Sequence, residues 1–348
     1  MDRRSAIYLL GAMPVAASIA GCLREAANAK TKRVPEEPLP SWNDGAAKQA
    51  ILNFVKTTTD ESSSNFVPPD QRVAEFDQDG ALWVEHPMYT QVVYCLDRVP
   101  EVVKAKPELA NVEPFKTVLS GSRDALAKLS FKELFEIVIA TQSGMTVEEY
   151  RADVGRWLAS AKHPRWDRPY TELVYQPMLE VLHHMRLNGY KTFIATGGSA
   201  GFVREYSQSV YGISPEQVCG TEQPFKFGYD KNQRPILTQE PKFILDNMEA
   251  GKIEDFWLLY GCRPYAAFGN SSSDDRQMLE YTGAGEGMRL AMLVLHDDAQ
   301  REYAYGPAQG LPDTEVGIFS QALYDEAKSK GWTVISMKND WNRIFSFS

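Results

Sequence analysis

The chain has 348 residues, of which 43% are hydrophobic, so it is long enough and apolar enough to build one large domain or two ordinary ones. A disordered chain is therefore not expected. The formal net charge of -9 argues against a nucleic-acid partner, because binding to a phosphate backbone is driven largely by clustered Lys and Arg. An anionic small substrate would have to be held by a local positive site.

The N-terminal segment has the pattern of a signal peptide. Two arginines precede an apolar stretch at 6–20, which is shorter than the roughly 20 apolar residues that a spanning helix needs. Residues 19–22 resemble the lipobox of bacterial lipoproteins, in which small residues precede a cysteine that becomes lipidated, here Cys22. The segment 1–21 is therefore predicted to be removed. The alternative is an ordinary signal with an incidental cysteine.

The lipobox resemblance implies an exported bacterial lipoprotein on the periplasmic side of a membrane, with the lipid on Cys22 as its only membrane contact. The residues at 22–42 include charged side chains and prolines without apolar periodicity, which predicts a flexible tether. The remaining cysteines allow at most one disulfide and lack metal-ligand spacing, so buried free thiols are expected; they are Cys95, Cys219 and Cys262.

Short apolar runs that end at Gly, Ser or Asp and lead into helical patterns are typical of strands in a parallel α/β sheet. Four such runs and a fifth candidate are predicted; they lie at 73–76, 191–195, 265–268, 290–295 and 332–337. The fold class predicted is therefore α/β, with a Rossmann-like doubly wound parallel sheet. Ligands of such sheets bind at the carboxyl ends of the strands, so the residues after each run are the candidate site residues.

A long stretch between the first two predicted strands contains helical patterns at 130–140 and 146–159 but no buried strand. Because it is too long for a loop, it predicts an inserted helical domain. A further helical pattern at 171–187 leads back to the sheet, and alternation around turn residues at 225–237 predicts a small β-hairpin.

Two carboxylates, Asp77 and Asp79, follow the first predicted strand, and Gly80 lets both approach one ligand. A carboxylate can be a covalent nucleophile, and a second one can protonate a leaving group and then activate water. The alternatives are a solvated turn or a calcium loop. An EF-hand loop needs Gly at its sixth position and Glu at its twelfth, whereas Gly80 is fourth here and Met88 is twelfth.

The second predicted strand ends in a glycine-rich turn, Thr196-Gly197-Gly198-Ser199, ahead of a helix predicted at 200–211. A turn of this kind and a helix N-terminus together form an anion site from backbone N–H groups, to which the hydroxyls of Thr196 and Ser199 can add donors.

The third run is followed by Asn270 and Asp275, which with Asp77 offer the oxygen ligands that Mg²⁺ prefers. A helix N-cap at Ser273 or Asp274 is also expected there. A phosphoryl site needs a cation as well, to offset repulsion among clustered carboxylates. The candidates for that cation are Lys252 and, second, Lys242.

These pieces, in this chain order, resemble the four motifs of the haloacid dehalogenase superfamily of phosphohydrolases, at 76–80, 196–198, Lys252 and 269–275. The helical insertion falls where phosphoserine-phosphatase-like members carry a cap. The resemblance therefore implies an α/β core with an inserted helical cap. The implied bounds are 43–88 and 186–348 for the core and 89–185 for the cap.

The resemblance also implies a role for each motif residue. Asp77 would be the nucleophile and a metal ligand, and Asp79 the general acid/base, with its backbone carbonyl on Mg²⁺. Thr196, Gly197 and Gly198 would bind the phosphate. Lys252 would neutralise charge, and Asp275 and Asn270 would be further metal ligands. Two positions depart from the family pattern. Ala81 replaces a usual threonine, and Asn270 replaces a frequent aspartate, which predicts weaker Mg²⁺ binding.

The predicted function is Mg²⁺-dependent hydrolysis of a small phosphomonoester through an aspartyl phosphate on Asp77. A dehalogenase is disfavoured because those enzymes lack the second aspartate, Asp79. Phosphotransfer on the same scaffold, or a lipid-tethered binding protein without turnover, are the alternatives. Phosphoserine and phosphorylcholine are candidate substrates, and the polar residues considered for recognising them are Glu85, His86, Arg151, Arg156 and His163.

Overall fold

The protein is described as a computed structural model that covers residues 37–126 and 128–347. The predicted signal peptide, the predicted lipidation site Cys22 and the predicted tether up to residue 36 lie outside the described residues. The last part of that tether packs on the folded body, because Leu39 and Trp42 are fully buried and the Ser41 hydroxyl donates to Glu180 Oε1 over 2.6 Å. The folded body therefore begins a few residues earlier than predicted.

The described residues form two sheets. Their strands are β1 (Val73–Phe76), β2 (Lys191–Ser199), β3 (Val218–Thr221), β4 (Phe225–Tyr229), β5 (Pro235–Gln239), β6 (Ala266–Gly269), β7 (Leu290–Leu295) and β8 (Thr333–Ser336). The larger sheet has six strands in the order β3-β2-β1-β6-β7-β8, and all of its pairs are parallel. Strands β4 and β5 form the predicted antiparallel hairpin. The α/β fold class with a Rossmann-like parallel sheet is confirmed.

The strand order reverses at β1. The chain runs outward from β1 to β2 and β3, then returns to β6 on the other side of β1 and continues to β7 and β8. In sheets of this kind the crevice at the reversal point is where ligands bind, because the connections diverge there. Asp77 follows β1 directly, so the topology places it at that crevice.

The predicted strands agree closely with the observed ones. Strand β2 is longer than predicted because the glycine-rich turn continues the strand, with a shift of register between Thr196 and Ser199. Strand β3 is absent from the prediction. Its four residues, Val218–Thr221, include a cysteine and a glycine, which give a weak strand signal although all four are buried.

Helices cover both faces of the sheet. They are α1 (Ala46–Thr59), α2 (Thr90–Ala105), α3 (Phe115–Ser120), α4 (Arg123–Leu126), α5 (Phe131–Gln142), α6 (Val147–Ser160), α7 (Gln176–Leu187), α8 (Ala200–Arg204), α9 (Ser207–Tyr211), α10 (Ala250–Tyr260), α11 (Arg276–Gly283), α12 (Gln321–Lys330) and α13 (Met337–Asp340). Short 3-10 helices lie at Pro69–Gln71, Pro107–Asn111, Tyr170–Glu172, Pro215–Gln217 and Ala308–Gly310.

Alternate side chains of the central strands fill two apolar layers. Phe76 and Phe268 stack with their ring centroids 4.5 Å apart, on the face where α1 and α7 pack. The opposite face is covered by α10, α11 and α12, where Phe193 meets Phe256 at a centroid distance of 5.3 Å. Burial on both faces explains why these strands have continuous apolar runs rather than an alternating pattern.

The stretch between β1 and β2 contains the predicted helices α5 and α6. Each begins with a reciprocal capping box, Ser130 with Glu133 and Thr146 with Glu149, which fixes its first turn.

Two predicted helices differ from the structure. Helix α7 begins at Gln176 rather than 171, and the helix predicted at 200–211 is broken into α8 and α9. The division of the chain into core and cap stays a prediction.

Two expectations concern membrane and redox chemistry. Within the described part of the chain, no helix is long and apolar enough to cross a membrane. The thiols of Cys95, Cys219 and Cys262 are all unpaired, and the first two are buried, while Cys262 is half-buried. Burial raises the pKa of the Cys95 thiol to about 12, so this thiol is unreactive near neutral pH.

Two leucines on α7 provide a matched test of the core. Leu182 is fully buried, whereas Leu187 is 71% exposed. Leu182→Ala should lower the free energy of unfolding by about 2–5 kcal/mol, because the cavity adds to the lost transfer term. Leu187→Ala should change it by less than about 0.5 kcal/mol. Urea denaturation of both variants measures the difference, and equal effects would contradict this assignment of the core face.

Candidate active site

The carboxyl ends of three neighbouring strands bring the sequence-predicted residues together. Asp77 follows β1 and its backbone N–H donates to Phe268 O in β6 over 2.8 Å. Thr196 lies in β2 on one side, and the segment after β6 supplies Asn270 and Asp275 on the other. Residues from distant parts of the sequence thus meet because β1 lies between β2 and β6.

Lys252, on α10, is the cation at this edge. Its side chain is fully buried, and its Nζ lies 2.6 Å from Asp77 Oδ1, 2.6 Å from Asp275 Oδ1 and 2.8 Å from Asp274 Oδ2. The other candidate, Lys242, is 63% exposed and pairs with Glu240 at 3.5 Å. The structure therefore brings Lys252, and not Lys242, to the predicted nucleophile.

Burial and crowding alter the protonation of this cluster. Burial and the nearby charge of Asp275 raise the pKa of Asp77 well above its usual value, against the opposing effect of Lys252. Burial also raises the pKa of Asp274 to about 6. Burial alone would lower the pKa of Lys252, but the three carboxylates outweigh it and hold that pKa well above its usual value. The lysine therefore stays charged.

Asp274 is a site residue that the sequence analysis considered only as a helix cap. The observed N-cap of α11 is Asp275, so the expected cap at Ser273 or Asp274 is wrong. Asp275 instead accepts the backbone N–H groups of Asn270 and Ser271 at Oδ2, over 2.9 and 3.0 Å. Asp274 contacts Lys252 Nζ with Oδ2 at 2.8 Å and accepts the Glu249 N–H at Oδ1 over 3.4 Å.

The same carboxylates can hold a metal ion. One oxygen from each of Asp77, Asp274 and Asp275 lies within 4.8 Å of the others. Carboxylate oxygens are the ligands that Mg²⁺ prefers, and three carboxylates with one lysine leave an excess of negative charge that a divalent cation would offset. Burial, and then the nearby charge of Asp275, raise the pKa of Asp77 by more than Lys252 lowers it. The donor set therefore fits Mg²⁺.

Asp79 lies in the loop that follows β1, where its Oδ1 accepts a 2.8 Å hydrogen bond from Trp83 Nε1. Burial raises the pKa of Asp79 to about 6, and the Trp83 hydrogen bond opposes that rise. A carboxyl with this pKa can both hold and release a proton near neutral pH. The loop turns at Gly80, whose φ of +79° favours glycine.

Two backbone N–H groups of the glycine-rich turn already have hydrogen-bond partners within the protein. Gly198 N donates to Thr196 Oγ1 over 3.0 Å, and Ser199 N donates to Gln91 Oε1 over 2.7 Å. Helix α8, which follows the turn, has only five residues, so its dipole adds little. Because Thr196 Oγ1 accepts from the backbone, its hydroxyl proton is available to a bound oxyanion. The Thr196 hydroxyl thus supplies a donor in place of some of the backbone N–H groups that were predicted to bind an anion.

Gln91, at the start of α2, is a second residue that the sequence analysis missed. It is 8% exposed, and its Oε1 is committed to Ser199 N. Its Nε2 has no hydrogen-bond partner within the residues that the structure describes. A buried donor without a partner beside the glycine-rich turn is suited to an acceptor on a bound ligand. An isolated glutamine far from any motif gave no sequence signal.

The polar candidates for substrate recognition are mostly engaged elsewhere. Arg151 Nε donates to Glu205 over 2.6 Å, and Arg156 pairs with Asp153 at 2.8 Å. His163 Nε2 lies 2.7 Å from His86 O. Glu85 is 2% exposed, and its Oε1 accepts a hydrogen bond from Asn270 Nδ2 over 2.6 Å.

Comparison with family models and with curated proteins gave no match. The chain is similar to solved proteins of unknown function from Anaerococcus prevotii DSM 20548 and Bordetella pertussis Tohama I, each 13% identical with a TM-score of 0.44. The matches cover 72% of this chain and 86% of the first protein, and 76% of this chain and 98% of the second. A phosphoserine phosphohydrolase-like protein from Francisella tularensis subsp. tularensis SCHU S4 is 13% identical, with a TM-score of 0.36 over 65% of this chain and 88% of that one.

A pair of lysine substitutions tests the charge arrangement. Lys252→Met should lower the free energy of unfolding by about 3–5 kcal/mol in EDTA at neutral pH, because it leaves buried carboxylates without their cation. Lys242→Met should change it by less than about 0.5 kcal/mol, since an exposed ion pair contributes little. Urea denaturation provides the measurement. A Lys252→Met variant as stable as Lys242→Met would show that Lys252 does not neutralise the cluster.

Proposed function

We propose that the protein is a Mg²⁺-dependent phosphatase of the haloacid dehalogenase superfamily that hydrolyses a small phosphomonoester through an aspartyl phosphate on Asp77. The observation that carries the proposal is the contact of buried Lys252 with Asp77, Asp274 and Asp275 at the carboxyl edge of the central strand. Carboxylates that meet a lysine at a strand-order reversal, beside a hydroxyl of a glycine-rich turn, have the parts that phosphoryl transfer requires.

The first half of the reaction transfers the phosphoryl group to the protein. Lys252 Nζ donates a hydrogen bond to Asp77 Oδ1, so Oδ2 is the oxygen that attacks phosphorus. The bond between phosphorus and the ester oxygen breaks, and Asp79 delivers its proton to that leaving oxygen. Thr196 holds a phosphoryl oxygen through its hydroxyl proton. The products are the free alcohol and an aspartyl phosphate.

The second half regenerates the enzyme. Asp79, now ionised, takes a proton from a water molecule, whose oxygen attacks phosphorus as the bond to Asp77 breaks. Phosphate leaves and Asp77 returns to a carboxylate. Lys252 offsets negative charge on the transferring group in both halves.

Asp77, Asp274 and Asp275 are the residues that would hold Mg²⁺, with Asn270 and the backbone carbonyl of Asp79 as further oxygen ligands. When bound, the ion neutralises charge on the phosphoryl oxygens and the clustered carboxylates. Lys252 already contacts all three carboxylates, so it and the ion would share them.

The proposed location is outside the cytoplasm, at the periplasmic side of a bacterial membrane, through the predicted lipid on Cys22. The sequence pattern at 19–22 supports this part of the proposal. An exported phosphatase would release phosphate from external esters, which suits a small, soluble phosphomonoester as substrate.

Phosphate release from a generic aryl phosphate tests the proposal. Wild-type protein with Mg²⁺ should release phosphate, and EDTA should abolish the release. Asp77→Asn should lower the rate by at least about 10³-fold, because the amide cannot form the covalent intermediate. Asp60→Asn, a change at a carboxylate on the far loop after α1, should leave the rate unchanged.

The remaining alternatives give different results in the same assay. Added glycerol that becomes phosphorylated in place of phosphate release would identify a phosphotransferase, since an alcohol can then attack the aspartyl phosphate. If wild type and Asp77→Asn release phosphate equally slowly, Asp77 is not the nucleophile, and a binding protein on this scaffold becomes the better explanation.

A further inference from the structure

A buried carboxyl lies directly behind Asn270, the position at which many members of the resembled family have aspartate. Glu85 is 2% exposed, and its Oε1 accepts from Asn270 Nδ2 over 2.6 Å and from the Tyr305 hydroxyl over 2.8 Å. None of the reaction steps above uses Glu85 or Tyr305. Two donors therefore satisfy one buried acceptor oxygen, as buried polar atoms require.

The hydrogen bond fixes which end of the Asn270 amide faces Glu85. Only the Nδ2 end of an amide can donate, so the acceptor at Glu85 Oε1 sets the orientation of the group. The Oδ1 end is thereby directed away from Glu85. The backbone N–H of Asn270 also donates to Asp275 Oδ2 over 2.9 Å, which ties the same residue to the carboxylate cluster.

The surrounding backbone leaves little room for another arrangement. A Cβ at Gly80 would lie 2.0 Å from Asn270 Nδ2 and 2.5 Å from Glu85 Oε1. A Cβ at Gly317 would lie 1.8 Å from Glu85 Oε1. The two glycines thus enclose the hydrogen-bonded pair from two sides, and both have a positive φ. Close packing against these two backbones therefore holds the two side chains in place, while the hydrogen bond decides which end of the amide faces Glu85.

The same buried network holds the loop that carries Asp79. His296 Nε2 lies 2.9 Å from Gly80 O and its Nδ1 lies 3.2 Å from Glu302 Oε2, so the imidazole links that loop to Glu302. His296 and Tyr305 stack with centroids 4.4 Å apart. Residues 296–305 therefore support both the loop and the Glu85–Asn270 pair.

We propose that Glu85 is a positioning residue that orients Asn270 as a neutral oxygen ligand of the divalent-cation site, and that this orientation sets the affinity of the site for Mg²⁺. The inference rests on the proposed function only in the identity of the ion. Partners behind a metal ligand fix its orientation, and their loss typically weakens metal binding by about 10–100-fold. To orient Asn270, residue 85 needs an oxygen that accepts a hydrogen bond; it does not need a negative charge.

Calorimetric titration of the full-length protein with Mg²⁺, without substrate, tests this role. Glu85→Leu removes the acceptor and should raise the Mg²⁺ dissociation constant by about 10–100-fold. Glu85→Gln retains an acceptor oxygen, to which Asn270 and Tyr305 can still donate, and should stay within about threefold of wild type. A loss in Glu85→Gln as large as in Glu85→Leu would overturn the proposal.

A matched control separates this effect from general destabilisation. Glu180 is also buried and accepts hydrogen bonds from Ser41, but it lies on α7 beneath the N-terminal segment. Glu180→Leu should lower stability without changing Mg²⁺ affinity. If Glu180→Leu weakens Mg²⁺ binding as much as Glu85→Leu does, the effect is structural and the proposal fails.

A double-mutant cycle provides a second test that does not depend on one variant. Asn270→Ala should weaken Mg²⁺ binding by itself, and Glu85→Leu should add little further loss in its presence, because both remove the same ligand. Additive losses, or an Asn270→Ala variant with wild-type affinity, would overturn the proposal. Failure of the proposed function is distinguishable, since it would abolish phosphate release while leaving this pattern of Mg²⁺ affinities intact.

Discussion

Lys252 lies fully buried with its ammonium in contact with three carboxylates, and the candidate site depends on that contact. Removing each ion from water costs several kcal/mol, and only close, hydrogen-bonded partners offset that cost. The lysine reaches the cluster from the first turn of α10, immediately after Gly251. A side chain at Gly251 would place its Cβ 1.9 Å from Asp246 O, so glycine is required where the chain turns into that helix.

The charge balance of the cluster links structure to chemistry. Three carboxylates surround one ammonium, and burial, followed by the charge of Asp275, raises the pKa of Asp77 well above its usual value. In the proposed function, a divalent cation would complete the charge balance, and Lys252 would meet the negative charge that a phosphoryl group adds. Asn270, as a neutral residue, keeps the number of crowded carboxylates at three. The buried carboxyl of Glu85 accepts a hydrogen bond from that amide instead of joining the three carboxylates around Lys252.

The outline of the fold followed from local patterns in the sequence. Buried runs such as 73–76 and 290–295 predicted strands to the residue, because burial on both faces of a parallel sheet favours apolar side chains at most positions; Glu75 is a buried exception. The edge strand β3 could not be found in this way, since a four-residue strand with a cysteine and a glycine lacks that pattern. The break between α8 and α9 falls at Glu205 and Tyr206, where the sequence has no Gly or Pro that would predict the end of a helix.

The sequence by itself determined which chemistry was available at the strand ends: Asp77, Asp79, Thr196 and Asp275 each follow or end an apolar run, where parallel strands present their ligands. Only the tertiary structure decided that Lys252 rather than Lys242 meets Asp77, that Asp274 joins the cluster, and that Gln91 takes the Ser199 N–H. These contacts join residues far apart in the chain, and local periodicity contains no information about which of several similar side chains the packing will bring together.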